Sequence, residues 1–333
     1  MYRELALSDL VQVRSRRQKA AAADLARYES AFGRWDDRAS VRRNPRRLLG
    51  APAGDAVYFP PELFPAATHQ LVVDKGPDVV RRLLVCRLYD YLNFTTELEE
   101  IAVMPVAGKI SRGRAGIDLP EHMRADAFKI VTDEAWHAQF SDDLARQVEV
   151  HTGVPRGRFG MPAFAGRLDG IRVGMPDAVH GLEGLLFAIV SETLVSGILA
   201  DIPRDERLPA AVRDLVRDHA EDEGRHHVYF RTLLRHLWPA LDTEQRQAVG
   251  PLLPEIVFAF LEPDYLSVGR SLRACGCTAA EAEQVLFESW PTDRVVRDTA
   301  RAAEPVLRYF GRVGALDDPG TAEAFTAAGL WSA

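Results

Sequence analysis

Apolar positions recur along most of this chain at intervals of three and four residues, the period of an α-helix buried on one face. That pattern predicts an N-terminal helical arm over residues 1–35 with Asp9 as its N-cap, then helices near 79–108, 121–150, 177–201 and 208–236. Further helices are expected near 243–262, 264–275, 278–289 and 291–313, and no region has the two-residue alternation of a sheet. Between them lie an arginine-rich stretch at 36–48 (Arg38, Arg42, Arg43, Arg46, Arg47), a Pro/Gly-rich connection at 50–78 and a Gly/Pro-rich loop at 152–176. After Asp317 the pattern weakens to a tail. The expected fold is all-α: a helical bundle over 51–315, an N-terminal arm with the arginine-rich segment over 1–50, and a tail over 316–333. A solvated face or a subunit contact is the expected use of the arginines.

Four acids interrupt the apolar stripes. Glu99 has Leu92, Thr95, Ala102, Val103 and Val106 as its helical neighbours, and Glu192 has Leu185, Ala188, Ile189, Val195 and Leu199. Glu134 lies among Ala127, Ile130, Val131, Ala138 and Ser141, and Glu223 among Val212, Leu215, Val216, Phe230 and Leu233. Glu97 and Glu100 compete with Glu99, but their helical neighbours are more polar. An unpaired acid in such a stripe is costly. Two of the four begin the same short motif, Glu134-Ala-Trp-His137 and Glu223-Gly-Arg-His226. Positions three, four and seven apart share a helix face, so Glu134 points with His137, and His219 with Glu223 and His226.

Glu, Glu-x-x-His, Glu and Glu-x-x-His on four helices form the ligand set of a carboxylate-bridged dinuclear metal site in a ferritin-like bundle. Carboxylate oxygen and imidazole nitrogen suit iron or manganese, and no thiolate accompanies them. One Glu-x-x-His alone is common on solvated helix faces; two copies, each preceded by a lone stripe glutamate, are not. His219 has two readings, a third nitrogen ligand or a core histidine hydrogen-bonded to a carboxylate. Glu221 and Asp222 read as solvated neighbours, although Asp133, Asp218 and Asp222 are also candidates for orienting a histidine. His227, about 100° round the helix from His226, is expected at the surface or behind the site. His69, His122, His151, His180 and His236 have no partner pattern. If the helices pack as expected, Tyr91, Thr95, Leu98, Val195, Ile198 and Leu199 line a substrate pocket.

Composition limits the function classes. The chain has 333 residues, 47% hydrophobic and 27% charged, with a net charge of −7. There is no basic excess for nucleic acid and no apolar run long enough for a membrane span. The N-terminal stretch lacks a signal-peptide core. The three cysteines, Cys86, Cys275 and Cys277, do not suggest a disulfide framework. A cytoplasmic enzyme, most simply a homodimer, is the expectation.

In several segments the chain resembles the non-haem di-iron N-oxygenases typified by para-aminobenzoate N-oxygenase. The segments are Leu98-Glu99-Glu100-Ile101-Ala102 with Pro105, Asp133-Glu134-x-x-His137, Glu192-Thr193, and His219-x-x-x-Glu223-x-x-His226, together with Phe59-Pro60-Pro61-Glu62-Leu63-Phe64. The resemblance runs over roughly residues 55 to 310. It implies two iron ions held by Glu99, Glu134, His137, Glu192, His219, Glu223 and His226. It also implies O2 as cosubstrate, an external electron donor or reductase, and stepwise oxidation of a small-molecule amine to hydroxylamine, nitroso and nitro products, as in antibiotic or other specialised-metabolite biosynthesis. Members acting on para-aminobenzoate carry an arginine five residues before the first glutamate and a threonine directly before it; Phe94 and Leu98 stand there in this chain. Oxidation at carbon by the same metals is the alternative reading, and a ferritin-like iron store is a third.

Overall fold

The computed structural model describes residues 28–50, 56–157, 160–199 and 201–331, and among them there is no β-strand. Sixteen α-helices appear among the described residues. Two short ones, α1 (Trp35–Arg38) and α2 (Ser40–Arg43), precede α3 (Pro65–Thr68) and α4 (Gln70–Val73). The bundle proper begins with α5 (Pro77–Leu98), which runs through a π-helical turn at Glu99–Val103 into α6 (Met104–Ser111). It continues with α7 (Glu121–Thr152), α8 (Ala163–Val173), α9 (Leu182–Leu199) and α10 (Ala210–Ala240). The remainder is α11 (Thr243–Val249), α12 (Leu253–Leu261), α13 (Tyr265–Ala274), α14 (Ala279–Ser289), α15 (Thr292–Arg312) and α16 (Pro319–Ala327).

Four rods make the bundle core. The α5–π–α6 rod packs on α7, α9 packs along α10, α10 meets α7, and α9 meets the π turn. In α9 the run Leu186, Phe187, Ala188, Ile189 and Val190 is wholly buried. A helix that is apolar all round needs cover on every side. α8, α12 and α15 supply it on the sides away from α7 and α10. The C-terminal helices are therefore part of what keeps this central helix dry.

Local chemistry sets the boundaries. Gly76 at φ 100° followed by Pro77 starts α5, since the proline lacks the N–H that a first turn leaves unpaired. Gly153 at φ 66° ends α7 in the left-handed cap. Asp242 with Gln245 and Thr278 with Glu281 form reciprocal capping boxes at α11 and α14.

Three expectations needed correction. The 152–176 stretch is not all loop, because α8 lies within it, with Phe164 and Ile171 buried. The helix expected over 243–262 is broken by a 3-10 turn at Gly250–Leu252, where Pro251 removes a helical N–H. The tail forms α16, anchored by buried Thr321 and Phe325. The arm expected over residues 1–35, including Asp9, lies mostly outside the described residues.

The contact between tail and turn is close: a Cβ built on Gly250 would stand 2.0 Å from Thr321 Oγ1. Gly250→Ala should cost about 1–3 kcal/mol by overpacking, read as a lower denaturation midpoint. A second change, Thr321→Ala, should recover part of the loss, and a neutral Gly250→Ala would show that α16 is not docked as described.

Candidate metal centre

Each stripe acid comes from a different part of the bundle. Glu99 opens the π turn, Glu134 and His137 sit in mid-α7, Glu192 is on α9, and His219, Glu223 and His226 are on α10. All seven side chains are buried, each 1% exposed or less as a residue. Glu100 is exposed and Glu97 only partly covered, so the turn presents Glu99 alone. Extra-wide turns of this kind concentrate at functional sites.

The side chains converge as two overlapping groups, Glu99–His137–His219–Glu223 and Glu134–Glu192–Glu223–His226, each with ligand atoms within 4.8 Å of one another. Glu223 belongs to both. His226 Nδ1 lies 2.9 Å from Glu134, 3.2 Å from Glu223 and 3.5 Å from Glu192. His219 Nε2 lies 3.3 Å from Glu223 and 3.7 Å from Glu99. These are close approaches without hydrogen-bond alignment. Glu99 Oε2, Glu134 Oε1, Glu192 Oε2, both Glu223 oxygens, both His219 nitrogens and His226 Nδ1 are buried with no hydrogen-bond partner. Orphaned buried polar atoms are rare in proteins. Six of the residues in the two ligand groups carry such atoms, His219 through Nε2, and they fit a pair of cations, with donors of the oxygen and nitrogen type that iron and manganese accept.

Electrostatics carries the same message. Burial, with the charges of the neighbouring glutamates added, holds Glu99 and Glu192 well above the usual carboxylate range. Burial pushes Glu223 the same way, but His226 and His219 outweigh it and hold that acid well below the usual range. Burial would lower His226, yet Glu134 and Glu223 raise it well above an ordinary imidazole. Without cations the cluster is divided between acids driven neutral and acids held charged.

Behind the ligands lies a crossed brace. Asp222 on α10 takes His137 Nε2 of α7 at 3.1 Å, and Asp133 on α7 takes His226 Nε2 of α10 at 3.2 Å. Both aspartates are fully buried. Residues ahead of the bundle hold both in turn. The Trp35 indole donates to Asp133 at 2.8 and 2.9 Å. The Ser40 backbone N–H donates to Asp222 at 3.2 and 3.3 Å, and Arg225 pairs with the same carboxylate. Phe32 stacks on the His226 ring at 6.0 Å. Two arginines of the 36–48 stretch bind the rods directly: Arg47 to Asp218 at 2.7 Å and Arg46 to Asp143 at 2.7 Å.

The chain matches the family model described as p-aminobenzoate N-oxygenase AurF over residues 44–314. It is 24% identical over 269 residues to the 4-aminobenzoate N-oxygenase of Streptomyces thioluteus, an alignment covering 78% of each chain. The chain belongs to the p-aminobenzoate N-oxygenase family.

Against the N-oxygenase pattern, the structure brings together every residue that sequence placed at the centre. Reading Asp222 as solvated was wrong, because it lies on the α7 side of α10 and holds His137. Asp133 and Asp222 had a signal: each directly precedes the glutamate of its motif, so the repeat is Asp-Glu-x-x-His and not merely Glu-x-x-His. Trp35 and Ser40 lie before the matched residues and had none. Asp218 orients no centre histidine and pairs with Arg47 instead. His227 is half-buried against the Tyr309 hydroxyl at 2.9 Å, away from the centre. Tyr91, Thr95, Leu98 and Val195 line one cavity of about 240 Å³ together with His219. The side chains of Ile198 and Leu199 lie outside the described ones.

The brace predicts that Asp133→Asn and Trp35→Phe each weaken iron retention about 10- to 100-fold in chelator competition with helical content unchanged. Retention equal to wild type in both would reduce the brace to packing. His219→Ala should keep the fold but change the optical spectrum of the iron-loaded protein and abolish turnover. An unchanged spectrum with normal rates would make His219 a packed core histidine.

Proposed function

We propose that this chain is an O2-dependent di-iron N-oxygenase that oxidises a small-molecule amine stepwise toward hydroxylamine, nitroso and nitro products in specialised metabolism. The observation that carries the reading is the pair of ligand groups sharing Glu223, in a member of an N-oxygenase family. Glu99, Glu134, His137, Glu192, His219, Glu223 and His226 would hold the irons. When bound, the irons supply O2 with the electrons that side chains cannot, replenished by an external donor.

The protein's own part is to bind, orient and keep dry. Acids from four rods neutralise the metal charge, and the crossed aspartates fix the ring orientation of His137 and His226. His219 is the centre residue that also lines the cavity, so substrate arrives on its side. There the wall is apolar and aromatic: Leu98, Val195, and Phe94 against Phe164 at 5.5 Å and Phe260 at 5.9 Å. Such a wall disfavours an ammonium ion and keeps the nitrogen lone pair available. Near the centre it offers only the Tyr91 and Thr95 hydroxyls, and no cation, to offset desolvation of a benzoate carboxylate.

Reduced protein given 18O2 and a panel of aryl and alkyl amines should place label on nitrogen, with para-aminobenzoate a poor substrate. Label only on carbon across the panel would move the chain to the carbon-oxygenase alternative. A preference for para-aminobenzoate over its uncharged analogues would contradict the description of the wall.

A further inference from the structure

The cavity does not end at its apolar wall. Arg87, Tyr91, Thr95 and Leu98 lie at successive helical turns of α5 and line it from one end toward the centre. Arg87 is a partly buried cation. Its Nε is buried without a hydrogen-bond partner, and its guanidinium rests on aromatic faces, 5.0 Å from the Phe59 ring and 5.5 Å from the Phe64 ring. Burial lowers its affinity for its proton, and Asp90 and Asp264 offset this only through space. Those two acids are engaged elsewhere. Asp90 accepts from Ser267 at 2.6 Å and Ser271 at 3.2 Å, while Asp264 accepts from the Ser267 and Ala163 backbone N–H groups at 2.9 and 3.0 Å.

A guanidinium offers a planar fork of donors suited to a carboxylate. One that lines a substrate cavity with no hydrogen bond or ion pair to another described residue is a binding group awaiting an anion. We propose that the cavity takes an amine with an anionic group at its far end, a carboxylate in the simplest case, anchored by Arg87. The proposal rests on the N-oxygenase reading for the amine end and on Arg87 alone for the anion end.

Helix geometry gives the length. Arg87 and Glu99 are separated by twelve residues of one continuous rod, about 18 Å at the α-helical rise. A contact of about 3 Å to Arg87 and at least as much at the other end, where Glu99 would hold metal, leaves at most about 12 Å of this axial length for the substrate. In para-aminobenzoate the nitrogen and carboxylate are separated by a single ring, which is too short.

The test is calorimetric binding to the oxidised, iron-loaded protein, with 4-(4-aminophenyl)butanoate, its carboxamide and 4-aminobenzoate as probes. Wild type should bind the long acid about 10- to 100-fold more tightly than the amide, the range for a charge-assisted hydrogen bond, and more tightly than 4-aminobenzoate. Arg87→Gln should erase the acid–amide difference while leaving amide affinity unchanged, and Arg87→Lys should retain part of it. If Arg87→Gln does not fold, the wild-type ratio and the lysine variant decide. Equal affinity for acid and amide in wild type, or a preference that survives Arg87→Gln, overturns the anchor. Tighter binding of 4-aminobenzoate than of the long acid overturns the span. Product analysis separates this from the reaction type: an anchored acid oxidised at carbon leaves Arg87 standing and removes the N-oxygenase reading, and the reverse pattern does the opposite.

Discussion

Four carboxylates and three imidazoles meet in the middle of a core built from leucine, isoleucine, valine and phenylalanine. Taking one charge out of water costs several kcal/mol even after relaxation, while a whole domain is stable by only about 5–15 kcal/mol. Left to themselves, the acids of this cluster would consume that margin. The fold answers part of the problem by driving Glu99 and Glu192 toward the neutral form and by setting imidazoles against Glu134 and Glu223. Two cations would answer the rest. Much else follows from that constraint: the π turn that aims Glu99 inward, the largely apolar α9 that carries Glu192, and the outer helices that keep α9 dry.

The brace behind the ligands shows how the long rods are held in register. Each Asp-Glu-x-x-His motif gives its glutamate and histidine to the centre and its aspartate to the other motif's histidine. A shift of α7 against α10 would break both crossed bonds at once. The residues just ahead of the bundle, through Trp35, Ser40 and Arg47, close over this brace. They give the N-terminal segment a role in positioning the centre, mostly through the aspartates and directly where Phe32 stacks on His226.

How much of this was legible in the sequence varies with the kind of interaction. Helices α7 and α10 and the grouping of Glu99, Glu134, His137, Glu192, Glu223 and His226 were legible because helical period and motif spacing are local properties; His219 shared their face, but spacing left it open as ligand or core histidine and only the resemblance placed it in the set. Asp222 was legible only in part: it was both a candidate for orienting a histidine and a solvated neighbour by its stripe, and its partner His137 comes from α7. Trp35 was not legible, since a lone tryptophan near an arginine-rich stretch resembles any other. Helices α8 and α16 were hidden by glycine content that tertiary packing overrode. Arg87 belongs to no motif or spacing pattern, and only the cavity shows where it lies. The arginines at 46 and 47 read as a solvated face or a subunit contact, and they pair with Asp143 and Asp218 of the rods.

The central claim is that one envelope of seven side chains holds two metal ions sharing Glu223. Anomalous diffraction at the iron edge from crystals of iron-loaded protein tests it most directly. The account predicts two separate peaks, one against Glu99, His137, His219 and Glu223, the other against Glu134, Glu192, Glu223 and His226. A single peak, or iron bound only outside this envelope in a fully loaded protein, would contradict it.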